Sequence, residues 1–113
     1  MRTNQEQNLI SVVVPTLNAA ETLFLPLADL QAVDIVKEVI VVDGGSRDET
    51  VALARAAGTR IVDAARGRGT QLAAGAATAS GNWLLFLHAD CRFDPHSAIE
   101  MILRRLRWHI QIR

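Results

Sequence analysis

The sequence predicts an α/β domain built on a mainly parallel sheet with flanking helices. Four apolar runs each end abruptly in a small polar cluster: Val12–Val14 into Pro15-Thr16-Leu17-Asn18, Val39–Val42 into Asp43-Gly44-Gly45-Ser46, Arg60–Val62 into Asp63, and Trp83–Leu87 into His88-Ala89-Asp90. Short apolar runs bounded in this way read as buried strands. The stretches between them carry helix start and stop signals, and such alternation implies right-handed crossovers between parallel strands. Half of the 113 residues are hydrophobic but only 4% are aromatic. The core is therefore built from Val, Leu, Ile and Ala, as in sheets covered on both faces.

Residues 1–8 are polar and are expected to form a flexible leader to a single domain over 9–113. The first strand is expected over 9–14, ended by Pro15, which has no N–H to give to a ladder. Asn18 then opens a helix, and Glu21 three residues later makes a capping box, each side chain reaching the other's free backbone amide. Pro26 should kink or restart that helix. Val39–Val42 is the second strand. Ser46 and Glu49 form a second capping box, a helix follows over Thr50–Ala57, and Gly58 supplies a left-handed stop. Arg60–Asp63 is a short third strand and Ala64–Gly69 a loop. Thr70–Ala79 is an Ala-rich helix stopped by Gly81, and Trp83–Leu87 is the fourth strand. Asp94-Pro95 sets an N-cap before an N1 proline. The helix it starts carries Ile99, Ile102, Leu103 and Leu106 on one stripe and Arg104, Arg105 and Arg107 on a solvated face. Trp108–Arg113 alternates apolar and basic residues without a stop signal, so the architecture is expected to be truncated at the C-terminus.

Composition narrows the function classes. Twelve basic residues balance 12 acidic ones, so no global field draws nucleic acid or an anionic membrane, and no nucleic-acid partner is expected. A single cysteine, Cys91, excludes an internal disulfide and fits a reducing compartment. The N-terminal residues lack the apolar core of a signal peptide. No apolar run approaches the ~20 residues of a transmembrane segment. The expected localisation is cytoplasmic, with attachment at the membrane surface left open.

Chemistry concentrates in the polar clusters, which a parallel sheet gathers at the carboxyl ends of its strands, where ligands bind in such folds. In Asp43-Gly44-Gly45-Ser46, the carboxylate has two roles open to it. It can accept from a nucleobase or ribose, with Gly45 letting backbone approach the ligand, or it can simply cap the turn. After the fourth strand, Asp90 is a candidate ligand for Mg²⁺ or Mn²⁺ bridging a diphosphate, and His88 a second ligand or a phosphate donor. Arg66-Gly67-Arg68-Gly69 is a candidate anion-binding loop. Other chemistries lack their signatures. There is no Walker A motif, and Gly67-Arg68-Gly69-Thr70-Gln71-Leu72 lacks the last glycine of the dinucleotide fingerprint and follows the third strand, not the first. Ser46 has no nucleophile-elbow context.

As a set, these segments resemble the family 2 glycosyltransferases, inverting nucleotide-sugar enzymes of the GT-A fold. Val12-Val13-Val14-Pro15-Thr16-Leu17-Asn18-Ala19-Ala20-Glu21 is similar to the family's first strand and turn, and Val41-Val42-Asp43-Gly44-Gly45-Ser46-Arg47-Asp48-Glu49-Thr50 to its second-strand motif. Gly75 through His88-Ala89-Asp90 is similar to the helix and strand that lead to its metal-binding Asp-x-Asp. The likeness implies a Rossmann-like, N-terminal nucleotide-sugar-binding half, with Pro15, Thr16, Asn18, Glu21, Asp43, Gly45, Arg66, Arg68, His88, Ala89 and Asp90 around the donor. By similarity Pro15, Thr16 and Glu21 line the nucleoside pocket and Asp43 faces the base, most often uracil. Arg68 approaches base or diphosphate, and Asp90 with His88 holds Mg²⁺ or Mn²⁺. Gly44 stands where a second acidic residue is common, Ala73 where an asparagine is common, and His88 where the metal motif has its first aspartate. The resemblance places the general base and the acceptor site beyond this chain. It implies a UDP-sugar donor and an acceptor of unspecified chemistry. Separately, the truncated sheet is expected to expose an apolar edge around Trp108 and Ile110, favouring homodimers or aggregation. Two other classes share parts of the pattern: a nucleotidyltransferase, which would want a glycine-rich loop after the first strand, and a non-catalytic nucleotide-binding module.

Overall fold

The computed structural model describes residues 10–90. Over this span the chain runs β1 (Ile10–Thr16), α1 (Ala20–Gln31), β2 (Val36–Asp43), α2 (Thr50–Ala56), β3 (Arg60–Asp63), α3 (Arg68–Thr78) and β4 (Trp83–Phe86). The leader, Cys91, the helix expected after Pro95 and the edge around Trp108 and Ile110 lie outside the described residues. The strands form one sheet in the order β3-β2-β1-β4, and every pairing is parallel. The chain steps outward from β1 to β3 and then returns to the other side of β1. The topological switch therefore lies between β1 and β4, where a parallel sheet opens a crevice at its carboxyl ends.

Strand alternation splits the core in two. Val12 and Val14 of β1 and Val39 and Val41 of β2 pack with Leu23, Leu27 and Leu30 of α1 and Ala54 of α2. Val13, Ile40 and Val42 point the other way, toward Leu72 and Ala74 of α3. Here α3 lies unusually close to the sheet. A Cβ on Gly75 would fall 2.3 Å from Val13 Cγ1, so glycine is what permits the approach. At the amino ends of the strands Glu38 staples three segments. Its carboxylate accepts from Ser11 Oγ at 2.6 Å and from the N–H and Oγ of Ser80 at 2.7 and 2.9 Å.

Several boundaries differ from expectation for physical reasons. Pro15 does not end β1; it lies inside it, in register with Val42. Alternate residues of a parallel strand bond to opposite neighbours. The carbonyl of Val13 accepts from Leu87 on the β4 side and that of Thr16 from Gly44 on the β2 side. The missing N–H of Pro15 therefore falls on the β4 side. The β1–β4 register stops at Val13↔Phe86 while β1–β2 continues to Thr16↔Asp43. Proline thus ends one ladder and opens the crevice at the switch point. Pro26 neither breaks nor restarts α1, which runs through it, and Pro26 is buried like Leu23 and Leu27. β2 begins at Val36, earlier than expected. Gly58, at φ 80°, is the left-handed stop after α2.

Neither capping box forms. α1 and α2 begin at Ala20 and Thr50 without a side-chain cap from their own N-cap residues. The free amides of α1 are met from the next loop instead. The N–H of Ala19 donates to Thr50 Oγ1 at 2.8 Å and that of Ala20 to Asp48 Oδ2 at 3.1 Å. Asn18, at φ 52°, bridges the same two loops: its N–H donates to Ser46 Oγ at 2.8 Å and its Oδ1 accepts from Arg47 N–H at 2.7 Å.

Candidate functional site

A cleft of about 270 Å³ opens beyond the carboxyl ends of β1 and β4, lined by Pro15, Thr16, Leu17, Arg66, Gly67, Arg68, Gln71 and His88. A smaller recess of about 30 Å³ adjoins it between Pro15, Leu72, Phe86 and Leu87. Five of the residues expected at a donor site thus converge: Pro15, Thr16, Arg66, Arg68 and His88. Arg68 belongs to the first turn of α3, not to the preceding loop, because the helix starts two residues earlier than expected. Its Nη2 lies 2.8 Å from His88 Nε2. Guanidinium only donates, so in this contact Nε2 is the acceptor. Two exposed arginines and an imidazole on one wall suit an anion that accepts several hydrogen bonds, such as a diphosphate.

Asp43 is outside the cleft lining and is held by Thr16, which lines it. It is 3% exposed. One carboxylate oxygen accepts from Thr16 Oγ1 at 2.7 Å and Ser46 Oγ at 2.5 Å; the other accepts from the N–H groups of Gly45 at 3.1 Å and Ser46 at 2.7 Å. Burial by itself raises the pKa of this group. The four hydrogen bonds, those from Ser46 foremost, outweigh it and hold the carboxyl below the ordinary range. A carboxylate has about four lone-pair sites, and in this structure the hydrogen bonds that Asp43 accepts tie it to the turn and to Thr16. Gly45, at φ 99°, is exposed and shapes that turn.

The remaining candidates sit outside the cleft lining. Glu21 is exposed on the first turn of α1, and Asn18 is committed to the loop bridge described above. Ala89 packs its methyl against the α1–α2 core. Asp90 is exposed two residues beyond His88. Among the described residues no group of three or more His, Cys, Asp or Glu side chains is placed to hold a metal ion. A cation that takes most of its ligands from a diphosphate and water needs only one or two from protein, and the exposed Asp90 carboxylate meets that need. His88 Nε2 is not free to add a second ligand while it accepts from Arg68.

Sequence reasoning missed Gln71, the buried polar residue of α3. It is 5% exposed and ties the ends of β1 and β2 to the arginine loop. The available signal was its position four residues after Gly67, as the sole glutamine in an otherwise Ala-rich helix. A second cleft, of about 220 Å³, lies at the opposite end of the sheet and is lined in part by Lys37, Glu38, Gly58 and Thr59. Among the described residues no helix is long and apolar enough to cross a membrane.

Comparison with known proteins gives the family and the fold. The family model for Glycosyl transferase family 2 matches residues 11–110. A PGL/p-HBAD biosynthesis glycosyltransferase of Mycobacterium tuberculosis is 36% identical over 90 residues, covering 73% of this chain and 35% of the relative. Glucosyl-3-phosphoglycerate synthase of the same organism is 34% identical over 102 residues, covering 77% and 30%. The chain therefore spans about a third of the length of the curated relatives it matches. A crystal structure of the M. tuberculosis synthase with Mn²⁺, UDP and glucosyl-3-phosphoglycerate superposes with a TM-score of 0.68 at 32% identity, over 76% of this chain and 35% of that one. A mycobacterial protein of solved structure superposes with a TM-score of 0.78 at 28% identity, over 92% and 39%.

Proposed function

The chain belongs to glycosyl transferase family 2, and on that premise we propose that residues 9–113 form a donor-binding domain whose carboxyl-end cleft takes a nucleotide-diphosphate sugar. UDP is the favoured nucleotide, and the reaction served is inverting transfer of the sugar to an acceptor hydroxyl. The observation that carries this reading is the convergence of Arg66, Arg68 and His88 on one cleft with Pro15 and Thr16, at the switch point of a parallel sheet. The synthase relatives crystallised with UDP and either Mn²⁺ or Mg²⁺ support it. The arginine pair would meet the diphosphate, while Pro15 and the backbone of Thr16 and Leu17 would border the nucleoside. Asp90 would hold Mg²⁺ or Mn²⁺, which when bound offsets charge developing on the departing diphosphate. No described cleft residue is assigned the role of general base. Absence of a glycine-rich loop after β1, where Pro15-Thr16-Leu17-Asn18 stands instead, weighs against a nucleotidyltransferase.

Calorimetric titration with UDP, ADP and NAD, each with and without Mn²⁺, tests the reading. UDP should bind most tightly and Mn²⁺ should strengthen it. Asp90→Ala should remove that enhancement with little change in stability, since its carboxylate is exposed. Equal affinity for the three nucleotides, preference for NAD, or an unaltered Mn²⁺ effect in Asp90→Ala would contradict it.

A further inference from the structure

We propose that Gln71 is a positioning residue of this site. Its side-chain amide fixes the arginine loop against the ends of β1 and β2, and Gly44 is the space that amide requires. The inference rests on the donor-site reading and adds a residue that acts through Arg66 and Arg68.

The geometry is specific to an amide. Gln71 Nε2 donates to the carbonyls of Thr16 and Val42, both at 2.9 Å, and Oε1 accepts from the N–H of Gly67 at 3.2 Å. The backbone N–H of Gln71 donates to the Gly67 carbonyl at 2.8 Å. Gly67 is thus held from both sides by one residue. It stands at φ 143°, the left-handed region that favours glycine, and the two arginines flank it directly. Fixing Gly67 fixes where both guanidinium stems leave the backbone. Glutamate would lack the two donors, and methionine would lack both donors and the oxygen acceptor. On the other side of the amide, a Cβ added to Gly44 would lie 2.9 Å from Oε1, 3.0 Å from Cδ and 3.1 Å from Nε2. The end of a glutamine can give way by a few tenths of an ångström, but here any such shift displaces the one amide that makes all three side-chain hydrogen bonds. The two positions are therefore coupled: a side chain at 44 releases the arginine loop just as loss of the amide does.

The test uses the full chain with Gln71→Met, which keeps the volume, and Gly44→Ala, which keeps the glutamine and displaces its amide. Three quantities are measured: affinity for UDP with Mn²⁺, affinity for uridine, and the hydrogen-exchange rate of the Gly67 amide. Each variant should weaken UDP about tenfold, the scale of one lost hydrogen bond, weaken uridine by a clearly smaller factor, since Thr16 loses one hydrogen bond while both arginines are displaced, and speed exchange at Gly67. Adding Gly44→Ala to Gln71→Met should cost little more, because the amide is already gone. A purely structural role would weaken UDP and uridine alike, and that outcome overturns the inference. So does unchanged Gly67 exchange in both variants. Failure of the unsubstituted chain to bind UDP overturns the donor reading instead, while Gly67 exchange still decides whether Gln71 holds the loop.

Discussion

Asp43 accepts four hydrogen bonds, and through them the Thr16, Gly45 and Ser46 positions are locked as one unit. A carboxyl whose folded pKa lies below its ordinary value stabilises the fold fully above that ordinary value, and the contribution fades as pH falls through the folded one. Asp43→Asn should therefore lose about 1–3 kcal/mol at neutral pH. Its stability should also decline less steeply than that of the unsubstituted protein below about pH 4. Glu38, which burial alone would raise but which its hydrogen bonds from Ser11 and Ser80 and the charge of Arg60 together hold lower, shifts in the same direction. Only the difference between the two denaturation series isolates Asp43; parallel acid limbs would contradict the assignment. Residue types at the site were legible because strand-end clusters declare themselves by composition. The division of labour was not, because whether a carboxylate caps a turn or faces a ligand depends on donors such as Thr16, 27 residues away.

Helix starts show the same limit at the scale of elements. Ser46 and Asn18 carry the right side chains at the right spacing for local capping boxes, yet the amides at the start of α1 donate to the next loop and that of Thr50 to Asp48. Thr50 is fully buried. Its hydroxyl accepts from Ala19 N–H and donates to the Asp48 carboxylate, so the start of α2 also caps α1. Thr50→Val preserves the shape and removes the acceptor. It should cost about 1–3 kcal/mol and speed exchange at the Ala19 amide, with α3 unaffected. Unchanged exchange at Ala19 would show that the cap comes from elsewhere. Strands were read more closely than helix ends because apolar runs are dictated by burial on two faces, which the local sequence records. Pro15 is the exception. Its effect is one-sided, since it ends pairing with β4 and leaves pairing with β2 intact, and sequence alone does not say which neighbour lies on the N–H side.

At the scale of the whole molecule, alternating strands and helices implied a parallel sheet with polar clusters along one edge, and among the described residues every strand pairing is parallel. The order β3-β2-β1-β4 was not legible, because it depends on which side of β1 the returning strand docks. That order creates the site. It sets β4 beside the proline-bearing strand, carries α3 across to the opposite face, and brings His88 to Arg68 over 20 residues of chain. On the proposed function, the nucleotide would bind at the carboxyl ends of β1 and β4. An NMR titration of the chain with UDP and Mg²⁺, repeated with trace Mn²⁺, measures this position directly. Shifts should concentrate at Thr16, Leu17, Gly67, Arg68 and His88, with paramagnetic broadening strongest around Asp90. Saturable shifts centred on the opposite cleft, at Lys37, Gly58 and Thr59, with the Arg68–His88 wall undisturbed, would contradict it.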